Sequence, residues 1–167
     1  LNPELSKLLQ EIKALTYGRN SVRSNYLLVP KELKGTCSTK HAYVKHIASQ
    51  KGWENVKLFT GIYIMKESNT TGVGAVLKKY ALTEIPEAHT YLKIDSEIID
   101  ITGLETSEEP FEKTLQLEQE ITPDEIGSFK LEFHKAFISE WSNSTKLSTE
   151  EVWKIREECI QELSKST

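Results

Sequence analysis

A chain of 167 residues, 28% charged and 38% hydrophobic, can bury one real core without a metal or disulfide staple. Its net charge of -4 and the lack of any basic block with interleaved aromatics argue against nucleic-acid binding. No run approaches the roughly 18 apolar residues that cross a bilayer, which argues against a membrane-spanning role. Cys37 and Cys159 sit in differently patterned segments, so they read as reduced thiols rather than a disulfide framework, which favours a cytoplasmic setting. The start, Leu1-Asn2-Pro3-Glu4, runs into an amphipathic pattern and not into a signal-type apolar stretch.

Leu5, Leu8, Leu9, Ile12 and Leu15 recur at helical spacing and predict a first helix over 3–15, with Gly18 helping to stop it. A short strand is expected over 26–29, ended by Pro30. A second helix is predicted over 37–50, opening at Cys37 and closing before Gly52. Residues 56–65 alternate with apolar content on both faces, which predicts a strand of a sheet covered on two sides. A polar loop over 67–74 leads to a further strand-like segment over 73–82. Residues 89–94 and 97–102 predict a hairpin turning at Asp95-Ser96, followed by an acidic connection to Gln119.

Thr122-Pro123-Asp124-Glu125 has the cap, proline and acid of a helix start, feeding an aromatic stripe of Phe129, Phe133, Phe137 and Trp141. Ser148-Thr149-Glu150-Glu151 repeats that logic ahead of a last helix with Val152, Ile155, Cys159 and Leu163 on one face. Helices, then a group of antiparallel strands, then helices is an α+β order. The expectation is one domain over 1–167, with a core of about 17–103 and a helical part of about 120–165.

Cys37 carries the chemistry of the sequence because of its position. A first helical turn leaves backbone N–H groups exposed and holds the positive end of the dipole, and both favour a thiolate. The same amides can stabilise an oxyanion once sulfur attacks a carbonyl. Gly35 allows close approach to the helix, and Thr36 and Ser38 keep the surroundings small and polar. The plainer reading of Cys37 is a buried structural thiol.

With a two-residue turn at Asp95-Ser96, Ile94 faces Glu97, Leu92 faces Ile99 and Thr90 faces Ile101. Leu92, Ile94, Ile99 and Ile101 then share the core face, while His89, Tyr91, Asp100 and Thr102 share the other. A carboxylate at Asp100 can there orient the His89 ring and leave its second nitrogen for the thiol. Asp95 is the competing acid, although a turn position suits it better as a backbone-bonding residue. His41, one turn after Cys37, reads as a base, a supporting residue or a packing histidine. Glu87 reads as an edge acid or a substrate contact. Asn20, with Tyr17, Arg19 and Asn25, lies in a loop that can line a cleft or simply be solvated. His46 and His134 read as surface or packing residues. A metal site of Cys37, His41 and His89 lacks compact ligand spacing, and neither a metal nor a cofactor is expected.

Gly35-Thr36-Cys37 opening a helix, Ala88-His89-Thr90-Tyr91-Leu92 on one strand and Ile99-Asp100-Ile101-Thr102 on the next resemble the transglutaminase-like cysteine enzymes, a superfamily with papain-like geometry. The likeness covers about residues 33–103. More closely, the chain resembles a group of uncharacterised bacterial proteins, of Bacteroidetes type, to which that fold is ascribed. The resemblance implies N-terminal helices packed on an antiparallel sheet, with Cys37 as nucleophile, His89 as base and Asp100 as orienting acid. The superfamily commonly has a tryptophan or a similar aromatic two residues after the histidine, where this chain has Tyr91, and the His89–Asp100 spacing is short. The activity expected is thiol acyl transfer, or hydrolysis of a peptide or of a small amide or ester. The competing expectation is a non-catalytic module that binds a peptide or protein partner in the same cleft.

Overall fold

The first helix, α1, runs Pro3–Ala14: Asn2 Oδ1 accepts from the Leu5 N–H at 2.7 Å, and Pro3 occupies the first turn. The structure is a computed structural model and describes residues 1–165. Leu5, Leu9 and Ile12 form the buried face of α1, as their spacing requires. The chain then lays down β1, Thr16–Tyr17. The strand expected at 26–29 is absent. In its place a 3-10 turn, Tyr26–Leu28, capped by Asn25, runs into α2, Val29–Glu32. Pro30 therefore helps to start a helical turn rather than ending a strand, since its fixed φ suits a position where no N–H is needed. Next comes β2, Lys34–Gly35, which pairs in parallel with β1.

Helix α3 spans Cys37–Lys51, with Thr36 as N-cap and Gly52 closing it at φ 71°. The cap is reciprocal: the Thr39 N–H donates to the Thr36 side chain, and the Thr36 N–H donates to Thr39 Oγ1 at 3.0 Å. Strand β3 comes next, at Val56–Met65. Residues 73–82, read as strand, instead contain α4, Gly74–Lys79. Val73 and Leu77, both buried, are one helical turn apart, and the Glu67 carboxylate accepts from the N–H groups of Gly72 and Gly74 ahead of the helix. In so short a segment a four-residue repeat mimics alternation.

Strands β4, Ile85–Ile94, and β5, Glu97–Ile99, form the expected hairpin in the expected register, Ile94 opposite Glu97 and Leu92 opposite Ile99. Asp95 and Ser96 take φ of 51° and 72°, the positive pair that a tight two-residue turn requires. The return strand is shorter than expected: it stops at Ile99, so Asp100, Ile101 and Thr102 lie beyond the ladder. The acidic connection contains a 3-10 turn, Phe111–Thr114, and a strand, β6, Leu115–Ile121. Residues 116–120 of β6 are all exposed, and the sheet order β5-β4-β3-β6 leaves it at an edge. A polar edge strand has no buried face to print an apolar period on the sequence.

The Thr122 capping box forms, but it heads only a 3-10 turn, Pro123–Ile126, and α5, Ser128–Ser142, starts after Gly127. The buried stripe of α5 is Lys130, His134, Ile138 and Ser142, one position round from the aromatic stripe, which is only half-buried. Helix α6, Thr149–Lys165, buries Val152, Ile155, Cys159 and Leu163 as expected. Its capping box is complete: the Ser148 N–H donates to Glu151 Oε2 at 2.7 Å, and the Glu151 N–H to Ser148 Oγ at 3.2 Å.

The fold is thus α+β, with helices and an antiparallel four-stranded sheet. By internal contacts the chain divides into two compact units. One comprises residues 1–60, 89–103 and 119–129, and its core joins Leu5, Leu9 and Ile12 to Ala42, Val44, Ala48, Val56, Leu58, Leu92 and Ile94. The other comprises residues 61–88, 104–118 and 130–165, with Ile62, Met65, Leu77, Ile138, Ile155 and Cys159 among its buried side chains.

Candidate active site

Every member of the candidate site belongs to the first of these units. Cys37 is the first residue of α3 and is partly exposed. Gly35 is required just before it. A Cβ there would sit 2.8 Å from Thr39 Oγ1 and 2.9 Å from Lys40 Cγ, so only glycine lets β2 pass this close to the helix start.

His89 lies on β4 with its side chain 13% exposed. Its Nε2–H donates to Asp100 Oδ2 at 2.7 Å, and its ring is hydrogen-bonded to the Cys37 thiol. With Nε2 on the carboxylate, Nδ1 is the nitrogen left for sulfur. Burial pushes the imidazolium down, but Asp100 and Cys37 outweigh it and raise His89 to about 10. Burial would raise the Asp100 carboxyl, yet His89 and the Thr102 hydroxyl hold it well below the usual carboxylate range. The result is a charged imidazole at neutral pH between an acid and a sulfur, a setting that favours a thiolate.

Asp100 is itself held. Its Oδ1 accepts from the Thr102 N–H at 2.9 Å and from the Thr102 hydroxyl. The imidazole of His89 lies 6.0 Å from the ring of Tyr91, which stacks on Phe59 at 6.2 Å. Tyr91 is fully buried, so it packs beside the histidine instead of lining an open cleft. The Ser38 and Thr90 hydroxyls, 3.3 Å apart, tie the helix start to β4.

His41 is completely buried and is not placed as a base. Its Nδ1 lies 2.6 Å from the Cys37 carbonyl oxygen, to which it must donate, and its Nε2 accepts the Ile101 N–H at 2.8 Å. Those two partners require the neutral Nδ1–H tautomer. The 3.5 Å approach of Nε2 to Asp100 Oδ1 is therefore a contact and not an ion pair.

Lys40 was missed by sequence reasoning as a member of the site. Its side chain is wholly buried, and Nζ donates to the carbonyls of Leu15 at 2.5 Å, Thr102 at 2.9 Å and Lys13 at 3.4 Å. Burial lowers its ammonium to about 8, with Asp100 opposing the shift. Keeping the charge here at pH 7 costs on the order of 3 kcal/mol. Placement of such a lysine is not written in a sequence, because an interior helix lysine normally points to solvent.

Three sequence candidates lie elsewhere. Asn20 is buried, its Nδ2 donating to Glu32 Oε2 and to the Lys34 carbonyl, each at 3.0 Å, so it braces the loop before β2. Asp95 accepts from Asn55 Nδ2 at 3.1 Å and turns the hairpin. Glu87 is neither an edge acid nor a cleft residue. It is buried in the second unit, where both its oxygens accept from Arg156 Nε at 3.1 Å and one accepts from the Ala88 N–H at 2.7 Å. Residues two apart on a strand share a face, but the Glu87 carboxylate is taken up by Arg156 and the Ala88 N–H, whereas His89 is bonded to Asp100. His134 joins Glu87 in that interior: it is buried, with Nε2–H donating to the Pro86 carbonyl at 3.1 Å. His46 is half-buried beside Tyr26, ring centroids 5.4 Å apart.

Among the described residues no group of three or more histidine, cysteine, aspartate or glutamate side chains could hold a metal ion, and no helix is long and apolar enough to cross a membrane. Comparison with protein-family models, with curated proteins and with solved structures found no match to this chain.

Proposed function

We propose that the protein is a transglutaminase-like cysteine enzyme that transfers or hydrolyses acyl groups. What carries this reading is the connected series Cys37 thiol, His89 ring and Asp100 carboxylate at a helix start. The Cys37 thiolate attacks an amide or ester carbonyl, and the oxyanion meets the N–H groups of the first turn of α3. As the tetrahedral adduct collapses, the carbon–nitrogen or carbon–oxygen bond breaks and His89 gives its proton to the leaving group. Water or an amine then adds to the thioester, His89 takes its proton, and the carbon–sulfur bond breaks to restore the thiolate. Asp100 keeps the imidazole aimed and stabilises its cation throughout.

The test is labelling of the two thiols with iodoacetamide at neutral pH, read residue by residue by mass spectrometry. Cys37 should label at least tenfold faster than Cys159, whose thiol burial pushes up to about 12. His89→Ala should remove the advantage. An activated ester should leave its acyl group on Cys37 and none on a Cys37→Ala variant. Equal, slow labelling of both cysteines would defeat the enzymatic reading and leave a peptide-binding module.

A further inference from the structure

Two consecutive side chains of α3 grip two consecutive residues of the segment that bears the acid. His41 accepts the Ile101 N–H at 2.8 Å, and Lys40 Nζ donates to the Thr102 carbonyl at 2.9 Å. Both side chains are fully buried. The segment needs such a grip because β5 ends at Ile99, so the hairpin ladder no longer fixes residues 100–102. His41 also reaches the Cys37 carbonyl at 2.6 Å, and Lys40 reaches back to Leu15. One helix therefore holds the nucleophile at its tip and the acid's backbone on its flank.

We propose that Lys40 and His41 are positioning residues which set Asp100 against His89, so that the Cys37–His89 charge pair depends on them although neither touches substrate. The inference deepens the acyl-transfer reading and rests on it. It requires His41 to stay neutral with its proton on Nδ1, because a proton on Nε2 would collide with the Ile101 N–H. Charged groups that face that ring include Asp100, 3.5 Å away, and the His89 imidazole, 6.3 Å between centroids. Gly103 completes the device: at φ 80° it bends the chain back, and a Cβ there would come within 2.5 Å of the Lys13 carbonyl oxygen.

The experiment is the pH dependence of Cys37 alkylation between pH 6 and 8 in the intact chain and in folded variants. A charge pair makes the rate nearly flat, whereas an isolated thiol gains roughly tenfold per pH unit. Wild type should be flat and Asp100→Asn steep. His41→Leu should be as steep as Asp100→Asn, and the double variant no steeper, because the histidine acts through the acid. His41→Gln, whose amide can donate to Cys37 and accept from Ile101, should restore the flat profile, and Lys40→Met should steepen it.

A folded His41→Leu with the wild-type profile would overturn the positioning role and leave the triad standing. A steep wild-type profile would remove the triad and the positioning role together. Should His41→Leu fail to fold, nitrogen NMR of the wild type decides. The expected signature is Nδ1–H on His41 and a coupling from the Ile101 N–H to Nε2 across this pH range; protonated Nε2 overturns the proposal.

Discussion

At the residue scale the site rests on exchanges of hydrogen bonds that a single substitution can break. Gly103 is the sharpest case outside Cys37, His89 and Asp100. Its positive φ is strained for any side chain, and the space where a Cβ would go is already taken by backbone. Gly103→Ala should lower stability by about 2 kcal/mol or more, read from urea unfolding midpoints. It should also slow Cys37 alkylation, since the residues that hold Asp100 adjoin it. Asp100→Asn belongs to this scale too: the side chain keeps its shape but loses the charge that raises His89. The His89 pKa, tracked by NMR, should fall from about 10 toward the ordinary 6.5.

At the scale of elements, the helix caps and the buried ion pair of the second unit decide local stability. The Ser148–Glu151 box satisfies two N–H groups at the start of α6, so Ser148→Ala should cost about 1 kcal/mol in thermal or urea unfolding. Glu87 is different in kind. Its carboxylate is buried, and although burial alone would raise it, Arg156, His134 and Lys130 hold it below the usual range. Arg156→Leu removes its main partner and should cost roughly 3–5 kcal/mol, because the remaining charge stays in the interior. Glu87→Gln in the same background should recover part of that loss. An ordinary surface pair would show neither effect.

Across the whole molecule, the buried histidines give the pH–stability curve two separate limbs. Burial lowers His134 to about 4, against 6.5 for the unfolded chain. Its contribution is complete above pH 6.5 and drains away as pH falls toward 4, by on the order of 3 kcal/mol. His89 runs the other way. Its folded value is raised to about 10, so its contribution is complete below 6.5 and is lost as pH rises through 10. Denaturation temperatures recorded from pH 4 to 8 should show the acid limb and the start of the alkaline one; above pH 8 the buried Lys40, lowered to about 8, sheds its own penalty and works against the His89 loss. His134→Gln should flatten the acid limb, and Asp100→Asn should flatten the alkaline one.

The amphipathic periods of α1 and α6, the opening of α3 at Cys37, the capping signals at Thr122 and Ser148, and the Asp95-Ser96 turn are all legible in the chain, because each depends on neighbours within a few residues. The register of β4 and β5 comes from the same local arithmetic as far as Ile99, where the ladder ends. Short apolar stretches mislead where period two and period four overlap, as at 73–82. The edge strand β6 leaves no mark, having no face to bury.

The linear sequence by itself therefore determined the helix that presents Cys37 and the hairpin that presents His89. Tertiary structure alone decided that β5 would stop at Ile99, and that Lys40 and His41 would turn inward to hold residues 101 and 102. The reason is physical. Whether a polar side chain is buried depends on which distant backbone groups arrive to satisfy it, and the partners of Lys40 lie 25, 27 and 62 residues away.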